Sequence, residues 1–252
     1  MHLHLNLAGG LTGDMFIAAV LDAFPRFEAR VTAAIDALDA PYPVVCSLVA
    51  HSDYEMTGKR FEVEPFDKYF GHIPFAFPVL SHGDCVSHEH TTWESVRERL
   101  NAALIEPSVL VHAIKIFELL VAAESDMHGI EPEKVAFLEV GAWDAIAEIV
   151  GAATLIDGLS AARWTASPFP QEVVTQTGAA IVSYLSPGST EDHTLPHVWT
   201  LAGSGTGFGS RRSSVNSHLR VLWFDEDTMI GHRNLARAAS FAAERPDRQS
   251  AR

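Results

Sequence analysis

His2-Leu3-His4-Leu5-Asn6-Leu7-Ala8-Gly9-Gly10-Leu11-Thr12-Gly13-Asp14-Met15-Phe16-Ile17-Ala18-Ala19-Val20-Leu21 is the stretch whose reading decides the fold. His2 to Leu7 alternates polar and apolar residues, the two-residue period of a β-strand. Ala8 to Asp14 is a glycine-rich turn, and Met15 to Phe24 then reads as a helix that Pro25 ends. A strand passing through a tight turn into a helix points to an α/β protein (α+β is the neighbouring class), built on a mixed sheet with flanking helices. Backbone N–H groups at the start of such a helix attract phosphate, and glycines permit close approach. The turn is not a Walker A loop, because no Gly-Lys-Ser/Thr follows, nor is it a G-x-G-x-x-G fingerprint. The ordinary alternative is a tight turn in which Thr12 or Asp14 caps the helix.

Outward from this unit, Val31, Ile35 and Leu38 mark a second amphipathic helix, closed by Pro41. Val44 to Val49 and Arg60 to Val63 read as strands that could pair. Pro65 to Leu80 is rich in proline and aromatic residues, with little periodicity, and reads as an ordered connector. It leads into the polar loop Ser81 to His90. Thr91 as N-cap with Glu94 three residues on predicts a helix start, with Trp93, Val96 and Leu100 on its buried side. Pro107 opens a further helix with Ile114, Phe117 and Val121 on its apolar face and Gly129 as its stop. Helices are expected at Trp143 to Leu159 and Thr177 to Leu185. Val198 to Ala202 and Leu219 to Phe224 read as strands flanking a glycine-rich loop, Gly203 to Gly207. Residues 1–230 form one domain in this reading, and residues 231–252 an arginine-rich tail with fraying ends.

Composition narrows the function classes. Hydrophobic residues make up 47% of the 252, enough for a proper core, and the formal net charge is −14. Such acidity repels phosphate backbones and makes nucleic acid a poor partner, while it is compatible with cations. Cys46 and Cys85 are the only two cysteines, too few for a disulfide framework. The first residues lack the basic and apolar regions of a signal peptide, and no apolar run reaches the roughly 18 residues that span a bilayer, so the cytoplasm is the expected location. Histidine is unusually frequent, 13 residues against four lysines.

Three constellations carry candidate chemistry. His82-Gly83-Asp84-Cys85-Val86-Ser87-His88-Glu89-His90 offers three imidazoles, two carboxylates and a thiol within nine residues. Borderline metals such as nickel and zinc take these donors, although the spacing is not that of a structural zinc module, and a solvated polar loop is the alternative. Asp144 and Glu148 stand four apart and share a helix face, with Glu139 just before the helix. Such carboxylates could hold a hard cation bridged to phosphates, or could simply favour the helix dipole. Thr175-Gln176-Thr177-Gly178 places two hydroxyls and a glycine at a helix start, compatible with an anion. No nucleophile elbow, Cys–His pair or H-E-x-x-H helix is present.

Taken in order, these segments resemble the LarC family, whose members insert nickel into a pyridinium bisthiocarboxylic acid mononucleotide to make a nickel-pincer cofactor. The similarity is carried by Ala8 to Met15, by the histidine-rich loop, by Ser125-Asp126-Met127-His128-Gly129, by Glu139 to Gly151, by Thr175 to Ala180, and by Gly203 to Gly207 with Leu219-Arg220-Val221. The chain departs from the family pattern at Asn6, where an aspartate is usual, at Ala136 and Leu138, which replace histidines, and in a shorter segment between Pro170 and Thr175. The family's usual second, C-terminal domain is also not matched.

The resemblance implies a CTP-dependent nickel chelatase of the lyase class that acts on the mononucleotide precursor. It implies Ni2+ as the metal and Mg2+ or Mn2+ accompanying CTP. Asp14, Glu139 and Asp144 would be catalytic. Gly10, Thr12, Gly13, Thr175, Thr177 and Gly178 would contact the mononucleotide or CTP phosphates. His82, His88, His90, Glu139, Asp144 and Glu148 would be metal ligands. A separate chain supplying the C-terminal domain, and a homo-oligomer, are the expected protein partners. Two other functions compete: a non-catalytic paralogue that binds metal or nucleotide, motivated by the departures, and a magnesium- or manganese-dependent phosphate-ester hydrolase.

Overall fold

The computed structural model describes residues 1–38, 40, 44–53, 56–65, 91–137, 143–160, 162–168, 174–189, 200–209 and 217–225. The Pro/aromatic connector beyond Pro65, the His82–His90 loop, Glu139 and the arginine-rich tail lie outside them.

The opening unit forms as its pattern predicts. β1 (His2–Asn6) runs through the turn into α1 (Gly13–Ala23). α1 is apolar almost all round, and nine of its residues are buried, so it is a core helix with no solvent face. Pro25 starts a short 3-10 turn, Pro25–Phe27, that feeds α2 (Glu28–Asp36). Val31, Ile35 and Leu38 are all essentially buried, as the spacing requires. β2 (Val44–Ser52) and β3 (Thr57–Pro65) pair antiparallel.

β4 (Thr91–Thr92) precedes α3 (Trp93–Ala102). The N-cap of α3 is Thr92, whose hydroxyl accepts from the Ser95 N–H, and not Thr91. Thr91 is instead held in a two-stranded ribbon opposite Phe137 of β5 (Ala136–Phe137). α4 (Pro107–His128) ends at Gly129, whose φ of 63° gives the left-handed cap the glycine predicts. Its buried face runs through Val109, Ala113, Ile116, Phe117, Leu120 and Val121, and Ile114 is only half-buried at the margin. α5 (Trp143–Gly158), β6 (Arg163–Ala166), α6 (Gln176–Leu185), β7 (Gly188–Ser189), β8 (Thr200–Phe208) and β9 (His218–Asp225) complete the described elements.

Seven strands form one mixed sheet in the order β2-β3-β8-β9-β1-β6-β7. β1 is parallel to β6 and antiparallel to β9; β3 is parallel to β8. α1 lies on β3, β8 and β9; α5 packs on α1 and α2; α4 packs on α5 and α6. Leu3, Leu5, Leu219 and Val221 face this helical layer and are fully buried, each stabilising by about 1.5–3 kcal/mol. Gly203 to Gly207, expected to be a loop, lies within β8. These glycines are what let α1 sit directly on the strand: a Cβ on Gly205 would meet Ala23, and one on Gly207 would meet Ala18 and Ala19.

Arg30 ties the helical layer together. Its guanidinium donates to Glu106 just before α4, to Asp157 on α5, and through Nη1 to the Thr154 carbonyl at 3.3 Å. Burial pushes the Asp157 carboxyl up, but hydrogen bonds from Arg30 and Ser108 outweigh it and hold it below its ordinary range. A depressed folded-state carboxyl contributes stability above the unfolded value of about 4, lost as pH falls through the folded value. Arg30→Met is therefore expected to cost about 1–2 kcal/mol at pH 7, discounted because Arg30 is partly exposed, and less at pH 3, below the unfolded carboxyl value. Urea denaturation of both proteins at the two pH values checks this; an equal cost at both would remove the ion pair as the cause.

Candidate functional site

The turn after β1 is held by its own polar groups. The Asn6 carboxamide oxygen accepts from the Ala8 N–H at 3.1 Å, so the asparagine still braces the turn where the resembled family has an aspartate. Gly10 closes it with an N–H bond to the Leu7 carbonyl at 3.0 Å. The Thr12 hydroxyl caps α1 at Met15 N–H and also donates to the Asp14 carboxylate. Asp14 is itself buried, and its carboxylate accepts from the Met15 N–H at 2.8 Å. The anion that the α1 N-terminus attracts is thus a side chain of the same helix. Thr12 is the cap, and Asp14, the second residue of the helix, braces it.

The N-terminus of α6 is brought against this turn. Thr175 N–H donates to the Leu11 carbonyl at 3.0 Å, Leu11 bridges Val174, and a Cβ on Gly178 would strike the Leu11–Thr12 backbone. The Thr175 hydroxyl caps α6 at Gly178 N–H, 3.2 Å, and lies 3.2 Å from the Thr177 hydroxyl, which is buried. On the other side, Glu148 of α5 presses on Gly13, where an added Cβ would sit 3.0 Å from both Cβ and Cδ of the glutamate. Gly10, Thr12, Gly13, Asp14, Thr175, Thr177, Gly178 and Glu148, scattered over 169 positions of sequence, are therefore one neighbourhood.

A cavity of about 240 Å³ opens beside it, lined by Glu62, Val63, Glu64, Asp144 and Glu148. Asp144 is exposed at the second position of α5, with its Oδ1 accepting from the Ala145 N–H, and Glu148 is half-buried one turn on. Among the described residues no three histidine, cysteine, aspartate or glutamate side chains converge closely enough to form a ready metal cluster. Glu139, His82, His88 and His90 lie outside the described residues. Glu62 and Glu64 were not among the sequence-derived candidates; they border the cavity on either side of Val63, the residue of this run that β-alternation turns toward the helices with Phe61. Cys46 is a free thiol pushed up to about 11, chiefly by burial and then by Asp36, so it stays protonated and unreactive near neutral pH. No helix among the described residues is long and apolar enough to cross a membrane.

Comparison with known proteins bears on this neighbourhood directly. A family described as "Nickel insertion protein" matches residues 3–171, which include the turn, Glu62, Glu64, Asp144 and Glu148. The "Putative nickel insertion protein" of Geobacter sulfurreducens is 30% identical over 263 residues, covering 87% of this chain and 60% of its own length. The "Pyridinium-3,5-bisthiocarboxylic acid mononucleotide nickel insertion protein" of a Nocardioides species is 32% identical over 164 residues, covering 65% of this chain and 36% of its own. A "Putative nickel insertion protein" of Methanocaldococcus jannaschii is 25% identical over 159 residues, 62% of this chain and 35% of its own. The chain thus spans about 60% or less of the length of these relatives. No solved structure matches it. With two thirds of its length matched, and with the turn and the α5 carboxylates inside that match, the chain belongs to the nickel insertion protein family.

Proposed function

We propose that the protein takes part in nickel insertion into a pyridinium bisthiocarboxylic acid mononucleotide, in a CTP-dependent reaction of the lyase class, with nickel as the metal substrate. The observation that carries this reading is the meeting of the glycine-rich turn, the α6 N-terminus and Glu148 beside a cavity whose lining is otherwise Glu62, Val63, Glu64 and Asp144. Oxygen donors of that kind suit a divalent ion bridged to phosphates, Mg2+ or Mn2+ with CTP, and the N–H groups that start α6 suit the phosphates themselves. In this reading Asp144 and Glu148, with Glu139, hold the divalent ion; Thr12, Gly13, Thr175, Thr177 and Gly178 shape the phosphate contact. His82, His88 and His90 present nickel, whose preference for nitrogen donors they satisfy. The Nocardioides relative's name and the family membership support the choice of substrate.

A second reading is favoured by one observation: the Asp14 carboxylate is engaged by the Thr12 hydroxyl and the Met15 N–H within its own helix start. Under it the chain binds metal or nucleotide as a non-catalytic partner, with a separate chain supplying the C-terminal domain. Calorimetric titration of metal-free protein with nickel, with and without CTP, decides between them when followed by a cofactor-synthesis assay. The working insertion protein binds both, and Asp144→Ala or Glu148→Gln weakens metal binding about tenfold, roughly the 1.4 kcal/mol of one lost contact. Unchanged metal and nucleotide binding in both variants removes the carboxylate assignment, and binding without synthesis moves the protein to the partner role.

A further inference from the structure

The sheet face turned away from the helices carries a set of basic groups that the site above does not use. Alternation along β3, β8 and β9 puts Phe61, Gly207, Leu219 and Val221 toward the helices, and Arg60, Thr206, Phe208, His218 and Arg220 on the opposite face. The register makes this one patch. Arg60 is opposite Phe208, Phe208 is opposite His218, and Arg220 stands two residues beyond His218, opposite Thr206 and Asn6. His51 from β2 packs edge-on to Phe208 with ring centroids 4.7 Å apart, and its Nε2 is 3.3 Å from an Arg60 Nη2. His218 lies against Gly9, where an added Cβ would be 2.8 Å from its imidazole, so the patch reaches the underside of the glycine-rich turn.

What these groups share is a buried nitrogen without a hydrogen-bond partner. Arg60 Nε, Arg220 Nε and His218 Nδ1 are shielded from solvent and have no hydrogen-bond partner. Neither arginine forms an ion pair with a described carboxylate, although the chain carries 32 acidic residues against 18 basic ones and Glu62 is only two residues from Arg60. A desolvated guanidinium N–H without an acceptor costs free energy, and two on neighbouring strands of an acidic protein need a reason. Strand spacing puts the two arginine backbones about 12 Å apart on one diagonal, within reach of two long side chains converging on a single small anion. Arginine pairs are suited to a phosphate dianion because their planar forks match its oxygens.

We infer that Arg60 and Arg220, with His218, form a phosphomonoester-binding site on this face, and that its ligand is the terminal phosphate of a mononucleotide. The identity of that mononucleotide rests on the proposed nickel-insertion reading; the site itself does not. Two anionic ligands then have two places, the mononucleotide phosphate on the sheet face and the nucleoside triphosphate at the helix starts. Net charge excludes a polynucleotide as the natural occupant.

Calorimetric titration of the full chain with cytidine monophosphate, with cytidine and inorganic phosphate as separate arms, tests this. Cytidine monophosphate is expected to bind, inorganic phosphate to compete with it, and cytidine alone not to. Arg220→Gln and Arg60→Gln should each weaken binding about tenfold or more, with Arg220→Lys recovering part of the loss. Since Arg220 Nε has no partner to lose, Arg220→Gln should melt no lower than the parent in the absence of ligand. Absence of binding by the parent, competition by cytidine as strong as by phosphate, or full affinity in both glutamine variants each overturns the inference. If Arg220→Gln fails to fold, Arg60→Gln, on a different strand, decides the matter alone. Nickel titration of the same samples separates the two proposals: phosphate binding lost with nickel binding intact sinks only the sheet-face site, whereas a parent that ignores nickel but binds phosphate sinks only the nickel reading.

Discussion

Gly207→Ala is expected to destabilise the protein by about 3 kcal/mol or more, or to prevent folding, a larger effect than the 1–3 kcal/mol usual for an overpacked core position. The added methyl group would lie 2.5 Å from Ala19 N and 3.0 Å from Ala18 Cβ, and would also strike the Met15 carbonyl oxygen. Two of those three neighbours are helix backbone, which cannot swing aside as a side chain can. The helix as a whole cannot retreat either, because Met15, Phe16, Ile17, Ala18, Ala19, Val20 and Leu21 are all essentially buried. Moving α1 off β8 would press it into α5 on its far side and open voids against the rest of the sheet. Gly129→Ala is the control: that glycine has φ 63° and nothing within 4 Å of a built Cβ, so only backbone strain of about 1 kcal/mol is at stake. Chemical denaturation of the two variants measures the contrast, and a Gly207→Ala protein within 1 kcal/mol of the parent would show that α1 is not seated on β8 as described.

The same glycines show where reading the sequence failed. Gly203-Ser204-Gly205-Thr206-Gly207 looks like a loop because glycine disfavours strands, and that bias is sound when a strand needs side chains to pack. Here the packing partner is the backbone of α1, contributed by residues nearly two hundred positions earlier, and no local pattern announces it. The strand–turn–helix opening, α2, α4, α5 and α6 were legible because apolar spacing, Pro107 and Gly129 are local signals. The α3 cap was misplaced by one residue for a similar reason: two adjacent threonines can each cap, and the pairing of Thr91 with Phe137 decides between them. The candidate site was partly legible. Spacing singled out Thr12, Gly13, Thr175, Gly178 and Glu148 separately, but their meeting depends on the Leu11–Val174 bridge and on α5 crossing α1. Arg60, His218 and Arg220 were invisible, since each looks like an ordinary polar residue of its own strand until the sheet order puts β3, β8 and β9 side by side.

Gly13→Ala should weaken metal binding about tenfold, equal to ~1.4 kcal/mol and the same loss as Glu148→Gln, while costing about 1–2 kcal/mol in stability. Gly13 is the first residue of α1, where alanine is the better helix former, so local propensity favours the substitution. The new Cβ would overlap the Glu148 carboxylate and come within 3.0 Å of its Cβ and Cδ. The glutamate Cβ must give by a few tenths of an ångström while its carboxyl swings aside, and in doing so the carboxylate leaves the cavity it shares with Asp144. This separates a positional role for Glu148 from a packing role, which direct replacement cannot do as cleanly. If the alanine acts through Glu148, then Gly13→Ala combined with Glu148→Gln should bind metal no worse than Gly13→Ala alone, because one carboxylate cannot be lost twice. Additive losses in that cycle, or a Gly13→Ala protein that binds metal as the parent does, would place the metal contact elsewhere and leave Glu148 as a residue that merely packs against the turn.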